Sequence, residues 1–231
     1  MHNFNRFILI FLGILISCQD TKTTENKSEK TPVEIPAKKE NKIIEPKIPE
    51  KITEENVVER LKAYGKENPE NKVRLKTKFG NIEIELFEET PLHRANFIQI
   101  VKKKFLNETC FYRVSKDFVI QGGNSDRKEM ARIKNSIGDF TIPPEFKNHL
   151  KHVTGAVAMA RGYENNPARR SSPYEFYIVV NTSEATHLNK EHTVFGRVTK
   201  GMDVVRKINK VEVDFSEWPK RDVYMEASVI D

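Results

Sequence analysis

The sequence has 231 residues and a mass of 26.8 kDa, room for one domain with extensions or two small ones. Hydrophobic residues make up 38% and charged residues 31%, so it can build a core while leaving part of the chain exposed. The formal net charge of +6, with both signs abundant, is weak evidence for nucleic-acid binding, and two cysteines exclude a disulfide-rich mini-fold and a four-cysteine zinc site.

The only long apolar run is Phe7 to Ile16 (FILIFLGILI), which excludes a polytopic membrane protein. At ten residues it is too short to cross a bilayer as a helix, which needs about 20. Preceded by Arg6 and followed by an abrupt polar turn, it predicts a secretory signal over residues 1–17. The run ends in Leu15, Ile16, Ser17 and Cys18, which resembles a bacterial lipobox. By that resemblance Cys18 is the first mature residue and carries lipid on its sulfur. Two or more acyl chains anchor stably, where one gives marginal binding. An ordinary signal with an incidental cysteine, or a buried cytosolic helix, is the alternative. The place implied is a bacterial membrane, with the rest of the chain outside the cytoplasm. Gln19 lacks the aspartate retention signal known from enteric bacteria, which favours an outer membrane facing the periplasm. With Cys18 acylated, Cys110 is the only thiol, and it reads as a small buried hydrophobe beside Phe111.

Residues 18–52 read as the lipidated cysteine and a disordered tether. Positions 19–51 hold 8 Lys, 7 Asp or Glu and four Pro, without glycine or aromatic residues, too little apolar surface to offset ordering. Residues 53–71 read as a short helix and linker. Thr53 is placed to cap the helix, Glu54 and Glu55 suit its first turn, and Gly65 ends it. Val57, Val58, Leu61 and Tyr64 share its apolar face.

A folded domain is expected over 72–231. Val73 to Phe79 and Ile82 to Leu86 alternate apolar and polar residues around the hairpin signal Gly80-Asn81. Thr90 and Pro91 open a helix whose apolar face holds Ala95, Phe97, Ile98 and Val101. Further strands are expected at 111–114, 118–121, 156–160, 175–180, 193–198 and 224–230, with a second helix at 202–209. Many short strands with two helices predict a mainly β domain, a closed barrel with helical ends.

Phe111 to Gly123 (FYRVSKDFVIQGG) is the most specific stretch. It resembles the cyclophilin signature, an aromatic-X-Arg segment followed by Phe-X-X-Gln-Gly-Gly. Thr154-Gly155, Met159-Ala160, Glu175 to Ile178 and His192 to Gly196 recur in that family's order, over roughly 72–231. The resemblance implies a closed eight-stranded antiparallel barrel capped by two helices, and peptidyl-prolyl cis–trans isomerase activity on proline-containing unfolded or extended polypeptides. It implies neither metal nor organic cofactor. A monomer is expected, without nucleic acid.

Rotation about a peptide C–N bond meets a barrier of about 18–20 kcal/mol. No bond breaks, so the chemistry needs a dry proline pocket, a grip on the flanking backbone and a donor for the twisted amide. By match to the motif, Arg113 is that donor and Gln121 hydrogen-bonds substrate backbone and orients Arg113. Phe118 forms the pocket floor, with Val119, Tyr177, Leu188 and His192 around it. Ala160 and Arg161 line the groove beside the peptide. Glu175 stands where the family usually has Gln, and is placed to pair with Arg113 or favour cationic peptides. His187 stands where some members carry a Trp that binds cyclosporin, so weak cyclosporin binding is expected. Arg169 and Arg170, in the polar loop 165–174, read either as a rim for acidic partners or as a solvated loop. Two competing functions stay open: a low-activity proline-peptide-binding or chaperone module, and an envelope protein whose tether is the functional part.

Overall fold

Alternating side chains dictate the first two strands. β1 (Lys72–Thr77) and β2 (Gly80–Leu86) bury Val73, Leu75, Ile82, Ile84 and Leu86 and turn their neighbours outward. The structure, a computed structural model, describes residues 51–231. The expected signal segment, Cys18 and the tether up to residue 50 lie outside the described residues. The β1–β2 turn is Lys78-Phe79, two residues earlier than the Gly80-Asn81 expected, because Thr77 pairs with Gly80. The Thr77 hydroxyl accepts from the Phe79 N–H (3.1 Å) and donates to the Gly80 carbonyl (3.0 Å), which locks the turn there.

Six more strands follow: β3 (Cys110–Ser115), β4 (Val119–Asn124), β5 (Ala156–Met159), β6 (Phe176–Val179), β7 (Val194–Lys200) and β8 (Glu226–Val229). They form one antiparallel sheet in the order β3-β4-β6-β5-β7-β2-β1-β8. The mainly β, eight-stranded antiparallel architecture is the one the sequence predicts. A bridge between Cys110 and Tyr224, and a bond from Phe111 N–H to the Val223 carbonyl (2.9 Å), tie β3 to the segment entering β8. Alternation along the central strands feeds two apolar clusters. Phe176 and Ile178 join the main core with Phe97, Phe111 and Phe195, whereas Tyr177 and Val179 join a smaller cluster with Val119, Ala158, Leu188 and Val194. The smaller cluster carries the site described below.

Among the described residues, five α-helices accompany the sheet: α1 (Val57–Glu67), α2 (Pro91–Lys102), α3 (Lys128–Ile137), α4 (Thr182–Ala185) and α5 (Met202–Ile208). Only α2 and α5 had been expected in the domain; α3 and the single-turn α4 are additions. α1 starts at Val57 rather than after Thr53. The Thr53 hydroxyl is engaged with Glu55 (2.6 Å), and the carboxamide of Asn56 accepts the Thr53 N–H (2.9 Å). Nor does Gly65 end α1. It is buried inside the helix, where a β-carbon would sit 3.1 Å from that of Ala95 on α2. The glycine lets two helices approach, and Arg94 of α2 donates to the carbonyls of Gly65, Asn68 and Glu70 (3.0–3.1 Å).

The start of α2 also departs from expectation. The Thr90 hydroxyl donates back to Phe87 (3.2 Å) instead of capping. Glu145, 53 residues away, takes the cap: its carboxylate accepts from the N–H groups of Leu92 (3.1 Å) and His93 (3.0 Å). It also accepts from Nδ1 of the buried His93 at 2.6 Å, and Nε2 of that ring meets the Ser171 hydroxyl at 3.0 Å. A carboxylate at a helix N-terminus satisfies free N–H groups and complements the helix dipole.

Candidate active site

Within the motif, each glycine and strand has a positioning task. Gly123 takes φ +102°, and a β-carbon there would fall 2.1 Å from the Tyr174 carbonyl. Only glycine admits that approach, which brings the segment entering β6 against β4. Pairing of Arg113 with Gln121, and of Gln121 with Tyr177, then sets three strands side by side.

Beside them opens a cavity of about 380 Å³ lined by Arg113, Phe118, Val119, Gln121, Ala160, Arg161, Tyr163, Tyr177, His187, Leu188 and His192. Ten of the residues singled out in the sequence thus meet in one place. Glu175 is not among the lining residues, and Cys18 lies outside the described residues. Val119, Ala160, Tyr177, Leu188 and His192 are buried, and Phe118 stacks on His187 with ring centroids 5.6 Å apart.

Arg113 is held differently from the expectation. Its Nε donates to Glu217 (2.7 Å), and neither Gln121 nor Glu175 reaches it. Gln121 donates through Nε2 to the Tyr112 hydroxyl. That hydroxyl is also bonded to Glu175, which accepts from the Asn124 amide as well (3.2 Å). Glu175 therefore sits behind the cavity wall. Burial raises its carboxyl above the usual range, with Lys134 pulling the other way.

Partners fix the tautomers of two histidines, His152 and His192. The Asn189 side-chain oxygen accepts the His152 N–H (2.9 Å) and faces Nδ1 (3.1 Å), so Nδ1 carries the proton. Nε2 then accepts from the Tyr177 hydroxyl at 2.9 Å. The buried Tyr177 hydroxyl thus has a built partner. Burial holds His152 down to about 4. His192 repeats the pattern: Nδ1 faces the Met159 carbonyl (3.1 Å) and Nε2 accepts from Tyr163 (2.8 Å). Burial lowers its pKa too. Tyr163 lies against the Arg161 guanidinium, 4.2 Å from the ring centroid, and Arg161 is fixed by the Glu191 carbonyl (2.8 Å) and carboxylate (2.7 Å). Arg170 is not a free rim cation: it binds Glu54 (2.6 Å) and Thr141.

Sequence reasoning missed Tyr163, Glu217, Tyr112 and His152. Tyr112 lay inside the motif, but nothing in its spacing marks it as the partner of Gln121. The other three reach the site from loops whose course no periodicity encodes. Chemically, the arrangement is a pocket that mixes apolar and aromatic groups with two guanidiniums, of which Arg161 is tied to Glu191 through Nε and Nη2 and Arg113 is held through Nε alone. Among the described residues, no side chain is bonded to the Nη atoms of Arg113.

The cyclophilin type peptidyl-prolyl cis-trans isomerase/CLD family matches residues 72–229. The peptidyl-prolyl cis-trans isomerase of Acinetobacter baylyi is 40% identical over 143 residues, 60% of this chain and 72% of that protein. The peptidyl-prolyl cis-trans isomerase-like 2 of Rhizopus delemar is 36% identical over 163 residues, 69% of this chain and 29% of that longer protein. Among solved structures, a Cryptosporidium parvum cyclophilin type peptidyl-prolyl cis-trans isomerase, crystallised in the presence of the dipeptide Ala-Pro, superposes with a TM-score of 0.58. It is 22% identical and covers 69% of this chain and 99% of its own, a likeness of fold.

Proposed function

The chain belongs to the cyclophilin-type peptidyl-prolyl cis–trans isomerases, and on that footing we propose that it rotates X-Pro bonds of unfolded or extended polypeptides outside the cytoplasm, held to a bacterial membrane by lipid on Cys18. The observation that carries the catalytic part is Arg113 at the edge of a pocket whose floor and walls are Phe118, Val119, Tyr177, Leu188 and His192. A proline ring seated there leaves its amide beside the guanidinium. As the amide twists, the prolyl nitrogen loses resonance and recovers a lone pair. The Nη donors then bind the twisted state better than the planar one, which lowers the barrier without any covalent step. Gln121 offers its carbonyl oxygen to substrate backbone, its amide being oriented by the bond that one of its N–H groups donates to Tyr112. The barrel is closed, in this reading, between β3 and the segment entering β8. The Ala-Pro dipeptide present with the Cryptosporidium protein supports proline as the anchoring residue. Leu15 to Cys18 and Gln19 support a lipoprotein of the outer membrane facing the periplasm. From that place a monomeric isomerase would assist the folding of envelope proteins.

Exchange between the cis and trans signals of a short X-Pro peptide, followed by NMR, tests the catalytic part. Wild type accelerates exchange, and Arg113→Ala lowers kcat/KM by about 100-fold, the size seen for loss of one preorganised donor. Equal rates in both proteins sink the mechanism. The second reading, a module that holds proline segments with little turnover, is favoured by the ion pair that already occupies Arg113 Nε. It predicts bound peptide without exchange in wild type.

A further inference from the structure

The loop ahead of β8 folds back onto β3, and Glu217 is the residue by which it does so. Glu217 takes φ +63°. A residue with a β-carbon holds that left-handed conformation only where its surroundings fix it. Here they do: its N–H donates to the Asp214 carbonyl (3.1 Å) and its carbonyl accepts from the Val114 N–H (2.8 Å). Asp214 also binds the N–H groups of Ser216 and Trp218, and the Trp218 ring lies 5.5 Å from that of Tyr112. Both carboxylate oxygens are used. One accepts from Arg113 Nε (2.7 Å), the other from the Ser115 hydroxyl (2.6 Å), two positions along the same strand. Glu217 itself does not line the cavity.

The geometry points to Glu217 as a positioning residue for the isomerisation, holding Arg113 by its Nε so that both Nη atoms are presented to the twisted amide before substrate arrives. The inference rests on the role given to Arg113 above. A free arginine side chain must surrender rotamer freedom to act, and a charge-assisted bond at Nε removes that freedom in advance. The effect falls on the twisted state more than on ground-state binding, so it belongs in kcat.

The test measures kcat and KM by NMR exchange on an X-Pro peptide with the full chain, for wild type, Glu217→Gly, Glu217→Gln, Arg113→Ala and the Arg113→Ala/Glu217→Gly pair. Glycine suits the left-handed backbone, so Glu217→Gly removes the carboxylate and keeps the loop, which a matching melting temperature checks. Glu217→Gly is expected to lower kcat about tenfold with KM within about twofold. Glu217→Gln keeps an acceptor oxygen and stays within about threefold of wild type. On top of Arg113→Ala, Glu217→Gly changes nothing. A kcat at or above wild type in Glu217→Gly overturns the inference, since the pair would then only blunt the guanidinium. A Gln variant as impaired as Gly, or the same further loss on top of Arg113→Ala, also overturns it, and the latter assigns the carboxylate to general loop support. Should Arg113→Ala match wild type, the functional reading and the inference fall together; in the other cases the reading stands and the inference alone fails.

Discussion

Tyr177 and His152 each carry a polar atom that only the other satisfies inside the smaller apolar cluster. Tyr177→Phe leaves Nε2 of His152 buried without a donor and is expected to destabilise the fold by about 1–3 kcal/mol. Thermal unfolding at neutral pH checks it. The pair also gives stability a pH dependence of known sign. The folded state refuses a proton at His152 until about pH 4, whereas the unfolded chain takes it near 6.5. Its contribution is thus complete above the unfolded value and is lost as pH falls from there to about 4, a difference of up to about 3 kcal/mol. His152→Gln carries no charge at any pH. The stability gap between wild type and this variant should narrow steadily from pH 7 to pH 4.5; a constant gap contradicts the assignment. Cysteine offers a second test at this scale. Burial pushes the Cys110 thiol up to about 12, so it should not react with a thiol reagent in the native protein. If Cys18 carries lipid on sulfur, the mature chain shows no titratable thiol when native and one when denatured. One native and two denatured thiols would exclude the lipidation.

At the scale of elements, the cap on α2 shows what sequence reading cannot reach. Glu145→Ala removes the acceptor of two helix N–H groups and of His93 Nδ1 together, and is expected to cost about 2–3 kcal/mol. Hydrogen exchange locates the loss: the amides of Leu92 and His93 lose protection while those of β6 keep theirs until global unfolding. The strands were legible because alternation is local, and all eight lie within a few residues of their expected places. Turn position was not: Gly80 attracted the hairpin assignment, while the Thr77 hydroxyl decided it. α3 was invisible because its stripe of Met130, Ile133 and Ile137 is brief and set among charges, with only Ile137 fully buried. The cavity residues were legible because most stand in or near a motif with fixed strand register. The groups that orient them were not, because Glu217 and His152 act on Arg113 and Tyr177 from sequence distances of 104 and 25 residues.

For the whole molecule, the unit that folds is larger than the stretch that names the family. The family match begins at residue 72, yet the chain ahead of it is built into the same core. Ile52, Val57 and Leu61 are buried in the main cluster, and Ile52 donates its N–H to the Ile137 carbonyl at 2.9 Å. The Glu54 carboxylate accepts from Thr141 N–H (2.6 Å) and pairs with Arg170 (2.6 Å), bracing the loop that leads to Glu145. The three carbonyls to which Arg94 donates, those of Gly65, Asn68 and Glu70, also belong to this segment. Burial of three aliphatic side chains is worth about 1.5–3 kcal/mol each, against a total stability of about 5–15 kcal/mol for a domain. Removing residues 1–71 should therefore lower the melting temperature by about 10 °C or more, at 2–4 °C per kcal/mol for a domain of this size. Removing residues 1–50 keeps every contact just named and serves as the comparison. Thermal denaturation of the two truncated forms beside the full chain decides it. A form starting at residue 72 that melts with the full chain would reduce α1 to an accessory of the fold, whereas the predicted loss makes residues 51–71 part of the unit that folds.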